Sequence, residues 1–302
     1  MSNMRSGRRL TAWYLGIFIG ILLFTAFTPT KGETALVPPE SREMKLLLKT
    51  NFFVDRATGY QKYWSIVKEV AAEQAVGVQD NEDPFTEEVK KVTYYDTRNM
   101  DLTKNDYILR QRIKITDGKP ASNCDLTLKY RTTGRTSISS DAVKTAEPYQ
   151  PSISFQEDYV GYLHGVVGKA ESEASLSHTI KKIPVSEGKN LGYYAAYFPV
   201  LATFGIQPDE PLHLINGVSV REYKVSPGEL DFGGMKGEVA ISLWFNYETG
   251  DPITAEISWE CPIAPSAAAA KAEVFFKALQ TKTCDLLYPG QMKTRFIINY
   301  KK

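Results

Sequence analysis

Along most of the chain, apolar and polar residues alternate with the period of two that belongs to strands. In "YILRQRIKI" (107–115), Arg110 and Arg112 share one face, and Leu109, Gln111 and Ile113 share the other. In "CDLTLKYRT" (124–132), Asp125, Thr127, Lys129 and Arg131 oppose Leu126 and Leu128. In "ITAEISWE" (253–260), Thr254, Glu256, Ser258 and Glu260 oppose Ile253, Ala255, Ile257 and Trp259. Further strands are predicted over 43–53, 91–97, 152–160, 214–225, 228–233 and 238–247, with "ETGD" as a hairpin turn before the strand at 253–261. The period changes in two places. "GYQKYWSIVKEVAAEQAV" sets Tyr60, Trp64, Val67 and Ala71 at helical spacing, and "SAAAAKAEVFFKALQ" predicts a second helix. Residues 160–199 read as helix and loop, and "TRFIINY" (294–300) as a strand that closes the sheet.

About eight or nine strands with few long crossovers describe a strand-dominated α+β chain, better built as an antiparallel barrel with flanking helices than as a doubly wound sheet. From residue 33 to 302 no linker or repeat divides the chain, so one barrel domain ending in a helix is expected. At 302 residues and 43% hydrophobic it can bury a substantial core.

Residues 1–32 differ from the rest: Arg5, Arg8 and Arg9 precede an uncharged run from Leu10 to Thr30. This reads as an export signal, with an uncleaved membrane anchor as the alternative, and predicts a secreted or otherwise extracytoplasmic protein. Membrane contact is expected only through that segment. In an oxidising compartment Cys261 and Cys284 are the preferred disulfide, leaving Cys124 unpaired, and three free thiols are the alternative.

With 36 Lys+Arg against 35 Asp+Glu, the chain has no overall charge that would favour nucleic acid, so a basic site must be local. Neighbouring strands carrying Arg110, Arg112, Lys129 and Arg131 supply such a site if their polar faces converge on one lumen, where charge-assisted bonds to phosphate are strong. The plainer alternative is a sandwich whose polar faces meet solvent. His164, His178 and His213 have no partners at metal-ligand spacing.

The order "VTYYDT", "MDLTKNDYILRQRIK", "CDLTLKYR", then "SFQEDYV", "SVREYKV" and "AEISWE" resembles the CYTH superfamily, the triphosphate tunnel metalloenzyme fold, over about Glu43 to Glu260. The resemblance implies an eight-stranded antiparallel tunnel in which Lys49, Arg110, Arg112, Lys129, Arg131 and Arg221 grip the ligand: polyphosphate, triphosphate or an organic phosphate. It also implies a Mg²⁺ or Mn²⁺ ion on inward acids, with Glu43, Glu256 and Glu260 as the candidates here. This chain departs from the pattern. The first strand of the family carries E-x-E-x-K, whereas "REMKLLLKT" offers Lys45, Leu47 and Lys49 in one register or Glu43, Lys45 and Leu47 in the other. A lysine in place of a metal-binding acid reverses a charge worth about 4 kcal/mol at 4 Å and an effective dielectric near 20. The expected function is therefore anion binding in a basic tunnel, without the usual metal-dependent hydrolysis. The alternatives are a triphosphatase or polyphosphatase with a rearranged acidic site, and a surface protein-interaction module.

Overall fold

The structure, a computed structural model, describes residues 36–133, 137–263 and 267–301; the expected export segment lies outside the described residues. Nine strands close into a barrel: β1 (Ser41–Leu48), β2 (Glu88–Asp96), β3 (Tyr107–Thr116), β4 (Asn123–Thr133), β5 (Ser152–Gly161), β6 (Ala170–Pro184), β7 (His213–Asp231), β8 (Lys236–Asn246) and β9 (Pro252–Pro262). Around the barrel the order is β1, β5, β6, β4, β3, β2, β7, β8, β9 and back to β1. Nine strands cannot all run antiparallel to both neighbours in a closed ring. The required parallel pair is β1 with β5, aligned from Ser41 opposite Gln156 to Lys45 opposite Val160.

The count of nine corrects the eight implied by the resemblance. The strand that sequence reading placed in helix and loop is β6: Ala174, Leu176 and Ile180 face an outer core, while Ser175, Ser177 and Thr179 alternate with them. Small hydroxyl side chains on the inner face had hidden the period. Two other differences balance the strand list. The predicted strand over 228–233 is the end of β7, which continues past a bulge between Val225 and Gly228. "TRFIINY" does not join the sheet; it forms a short helix, Lys293–Ile298. β1 also stops at Leu48, five residues earlier than expected, and a 3₁₀ turn follows over Thr50–Phe53.

Among the described residues there are four other α-helices, α1 (Arg56–Glu73), α2 (Asp101–Lys104), α3 (Leu191–Ala195) and α4 (Ala267–Lys282), so the last is α5 (Lys293–Ile298). Asp55 caps α1 by accepting from the Thr58 N–H at 2.8 Å. The helix buries Tyr60, Tyr63, Trp64, Val67, Val70 and Ala71. With Phe275, Phe276 and Leu279 of α4, this stripe covers the outward Leu46, Ile257 and Trp259 of β1 and β9. Each such side chain contributes roughly 1.5–3 kcal/mol on burial, so packing rather than helix propensity fixes these helices. A second outer core joins Leu109, Leu126 and Leu128 to Leu191, Tyr194 and Phe198. Outward apolar and inward polar faces are thereby assigned on β1, β3, β4 and β9.

Cys124, Cys261 and Cys284 are free thiols. The expected Cys261–Cys284 bridge is absent because α4, about 24 Å long at 1.5 Å per residue, runs between the two positions.

The chain reaches α5 past a point where two backbones touch. A Cβ at Gly290 would lie 2.2 Å from the Gly161 carbonyl oxygen, and the Gly290 N–H bonds the Tyr162 carbonyl at 3.0 Å. Gly290→Ala should therefore lower the unfolding free energy by about 1–3 kcal/mol, the usual cost of overpacking. Urea unfolding measures it, and an unchanged midpoint would refute this account of the contact.

Candidate functional site

The inward faces meet in a cavity of about 350 Å³ lined by Arg110, Arg112, Lys129 and Arg131 among others. An adjoining lobe of about 220 Å³ shares Glu43, Arg112, Glu256 and Glu260 with it. The polar faces therefore do not look at bulk water on a sandwich. β3 and β4 lie side by side with Arg110 opposite Thr127 and Arg112 opposite Asp125, which brings their cations to one wall.

The centre of the site is a residue that sequence reading passed over. Asp158 of β5 is completely buried. Its Oδ1 accepts from Lys45 Nζ at 2.5 Å and from Gln156 Nε2 at 2.8 Å. Its Oδ2 accepts from Lys129 Nζ at 2.9 Å and Arg131 Nη2 at 3.3 Å. One carboxylate cannot neutralise three cations that also repel one another. Lys45 has a second acid, Glu43, at 2.7 Å, and Arg131 has Glu173 at 3.2 Å. Among the described residues Lys129 has only its share of Asp158.

The protonation states follow from this arrangement. Burial alone would push the Asp158 carboxyl up, but Lys129, Lys45 and Arg131 hold it well below the ordinary carboxylate range. For Lys45, burial works against the charge and Asp158 and Glu43 overcome it, so the ammonium is held firmly. For Lys129, burial together with Arg131 and Lys45 outweighs Asp158 and brings the ammonium down to about 7. Glu43 is half-buried, which works against its charge, yet Lys45 draws it down to about 2.

A second cluster stands nearer α5. Glu222 of β7 accepts from Trp244 Nε1 at 2.8 Å and lies 3.8 Å from Arg112 Nε. Against the effect of burial, Arg112 and Lys293 take its carboxyl down to about 2. Lys293, the first residue of α5, reaches Glu256 at 2.8 Å and Ser242 Oγ at 2.8 Å, with its Nζ 4.9 Å from the Trp244 ring centroid. Met292 and Thr294 line the cavity beside it. α5 thus forms part of the wall, fastened by Asn216 Nδ2 donating to the Ile297 carbonyl at 2.8 Å.

Arg110 stands apart. Among the described residues no acid lies within ion-pair distance of it, and its buried Nε has no hydrogen-bond partner. Burial, and then Arg112, bring its guanidinium down to about 10.

Of the residues expected to grip phosphate, Arg110, Arg112, Lys129 and Arg131 line the cavity, whereas Lys49 and Arg221 do not. Lys49 follows the end of β1 and donates to the Asp285 carbonyl at 2.8 Å, on the surface. Arg221 points outward, over the Tyr247 ring at 4.6 Å, because Glu222 and Lys224 take the inward positions of β7. A shift of one residue exchanges the faces of a strand. The register left open on β1 is also resolved, with Glu43 and Lys45 inward.

Glu43, Glu256 and Glu260 do line the two lobes, but each is engaged separately: Glu43 by Lys45 and Gln156, Glu256 by Lys293, and Glu260 by the Ser41 hydroxyl. Among the described residues no group of three or more His, Cys, Asp or Glu side chains could hold a metal ion. The donors present therefore do not fit the divalent ion that the resemblance implies.

No family model and no curated protein matches the chain. Solved structures similar to it include a protein from Hippeastrum described as a putative adenylyl cyclase with a dominant triphosphatase activity. That structure shares 15% identity over 87% of this chain and 97% of its own, with a TM-score of 0.43. A putative adenylate cyclase from Bacillus halodurans shares 15% over 85% and 97%, with a TM-score of 0.39. A protein of Pyrococcus horikoshii shares 14% over 83% and 93%, with a TM-score of 0.31. These scores establish no common function. The closed ring of strands and its charged lumen, on which the quoted motifs fall in order, decide the architecture. The fold is a closed nine-stranded barrel around that lumen.

Within this barrel, Asp96 of the "YYDT" motif is structural: its carboxylate accepts from the N–H groups of Leu102 and Thr103 at 2.9 Å and so secures α2.

Removing Asp158 would leave one buried and two half-buried cations around an empty position. Asp158→Ala should destabilise the barrel by about 3–5 kcal/mol in urea unfolding, the cost of breaking a buried ion pair; a loss under 1 kcal/mol would show that the cluster is dispensable. Glu43 and Glu222, held near 2 when folded and near 4.3 when unfolded, stabilise the folded state fully above about pH 5. That stability is lost as the pH falls toward 2. Glu222→Gln should flatten the acid limb of the stability curve, which urea midpoints across this range will show.

Proposed function

We propose that this is an exported CYTH-like protein that binds a phosphorylated or otherwise polyanionic ligand in the barrel lumen, without the metal-dependent hydrolysis of the family pattern. The observation that carries the reading is Arg110: a half-buried side chain lining the cavity, its Nε buried and unbonded, with no carboxylate partner among the described residues. The other β3 and β4 cations, Arg112, Lys129 and Arg131, each have an acid within 4 Å. A buried unpaired charge is costly, and an anion entering the cavity relieves that cost at Arg110 while meeting Lys129 and Arg112.

Shape and chemistry agree with this. A cavity of about 350 Å³ holds a small anion and not a protein segment. Arginines supply forked donors suited to phosphate oxygens, and Lys129 a point charge. Export follows from the charge and hydropathy pattern of residues 1–32 and belongs to the same proposal.

The test is calorimetric titration of the purified chain with tripolyphosphate in the absence of divalent metal. Binding is expected, and Arg110→Ala and Lys129→Ala should each weaken it roughly 10- to 100-fold, the value of one or two charge-assisted hydrogen bonds. No heat with tripolyphosphate, pyrophosphate or an organic phosphate would overturn the reading. Because Lys129 in the free protein titrates near 7 and an anion favours its ammonium form, affinity should fall as the pH rises above about 7. In Lys129→Arg that decline should disappear.

A further inference from the structure

The register of the barrel sets acids side by side. On five successive strands Glu238, Glu260, Glu43, Asp158 and Glu173 occupy paired positions, a rung running from an exposed edge at Glu238 into the buried wall at Asp158 and Glu173. Like charges on directly paired positions repel, so such a rung needs a cation. A multivalent ion held by several carboxylates would be one solution. This chain has another. Lys45, two residues beyond Glu43 on the same inward face, bends its ammonium back to the paired carboxylates, 2.7 Å from Glu43 and 2.5 Å from Asp158. Lys45 is only 9% exposed, so the ammonium is a fixture of the wall and not a surface charge. Lys293 repeats the device on Glu256 at 2.8 Å, supplied from α5.

We propose that Lys45 is the resident counter-ion of the carboxylate rung, occupying the place of a divalent cation, and that it makes the lumen selective for metal-free anions over their Mg²⁺ complexes. An ammonium has three donors and two are spent on Glu43 and Asp158; since Lys45 also lines the cavity, the third is open to a ligand. A Mg²⁺ ion arriving on a phosphate chain would meet Lys45, Lys129 and Arg131 around one carboxylate, and would find Glu43 and Asp158 already engaged. The ligand class that fits is an anion whose charges are uncomplexed.

The selectivity half of this proposal rests on the anion-binding reading; the counter-ion half does not, and the experiment separates them. Without any anion, Mn²⁺ binding to the purified chain is followed by electron paramagnetic resonance for wild type, Lys45→Glu and Lys45→Gln. Wild type should bind Mn²⁺ at least tenfold more weakly than Lys45→Glu, with Lys45→Gln between them. Near-ultraviolet circular dichroism checks folding, and Lys45→Gln decides if Lys45→Glu does not fold. Equal Mn²⁺ affinity in wild type and the folded variants would overturn the proposal. In the second arm, excess Mg²⁺ should weaken tripolyphosphate binding to wild type at least fivefold and strengthen it in the folded Lys45 variant. Stronger binding to wild type with Mg²⁺ would overturn the selectivity. Absence of binding to tripolyphosphate, pyrophosphate and an organic phosphate alike would refute the anion-binding reading and the selectivity with it, leaving the counter-ion role to the Mn²⁺ result.

Discussion

The buried carboxylate of Asp158 is the constraint around which this barrel is arranged. Three cations from two other strands converge on it, and their net repulsion decides which further acids must stand nearby. Glu43 and Glu173 are in place because Lys45 and Arg131 need a second partner in a medium where unpaired charge is expensive. The parallel contact of β1 with β5 brings Glu43 and Asp158 to paired positions, so the one exception to antiparallel pairing in the ring is also what assembles the network. Replacing such a cluster by apolar side chains can leave a fold equally stable. Its retention here is better explained by the cavity it borders than by stability.

How much of this was legible in the sequence depended on how cleanly each strand alternates. On β3, β4 and β9 every second position is apolar apart from Gln111 and Thr132, the parity is unambiguous, and Arg110, Arg112, Lys129, Arg131, Glu256 and Glu260 line the cavity as read. β5 presents polar residues on both faces, with Glu157 outward beside Asp158 inward, and nothing in its pattern singles out the aspartate. β7 is interrupted by irregularities on both sides of Arg221, so counting by twos from either end gives no secure parity. Lys293 was invisible for another reason: its helix has six residues and an apolar sequence, Phe296-Ile297-Ile298, that suits a strand equally well.

The same comparison explains why the lost acids of the first strand could be interpreted only after folding. "REMKLLLKT" contains one acid and two lysines on the face in question, and either register was compatible with a basic tunnel. The position of Lys45 against two carboxylates, and of Lys49 past the end of β1 on the outer surface against a backbone carbonyl, gives the two lysines different roles although alternation alone sets them on one face. Residue type alone does not distinguish an ammonium that binds a ligand from one that holds its own wall together.

The pairing of β1 has a further consequence, for the order in which the molecule can form. β1 begins at residue 41 and its antiparallel neighbour β9 ends at residue 262, so the ring closes through contacts more than 200 residues apart in the chain. Such distant pairing is slow, because the entropy of a long loop must be lost before any contact compensates it. During synthesis β1 leaves the ribosome first and waits for a partner that is among the last strands made, and α5 emerges later still. Until then the outward Leu46 and Leu48 and the unpaired edge of β1 stay open to other chains. Closure of the lumen therefore waits for β9 and α5, although the residues of the Asp158 cluster, 43 to 173, are all made before β7.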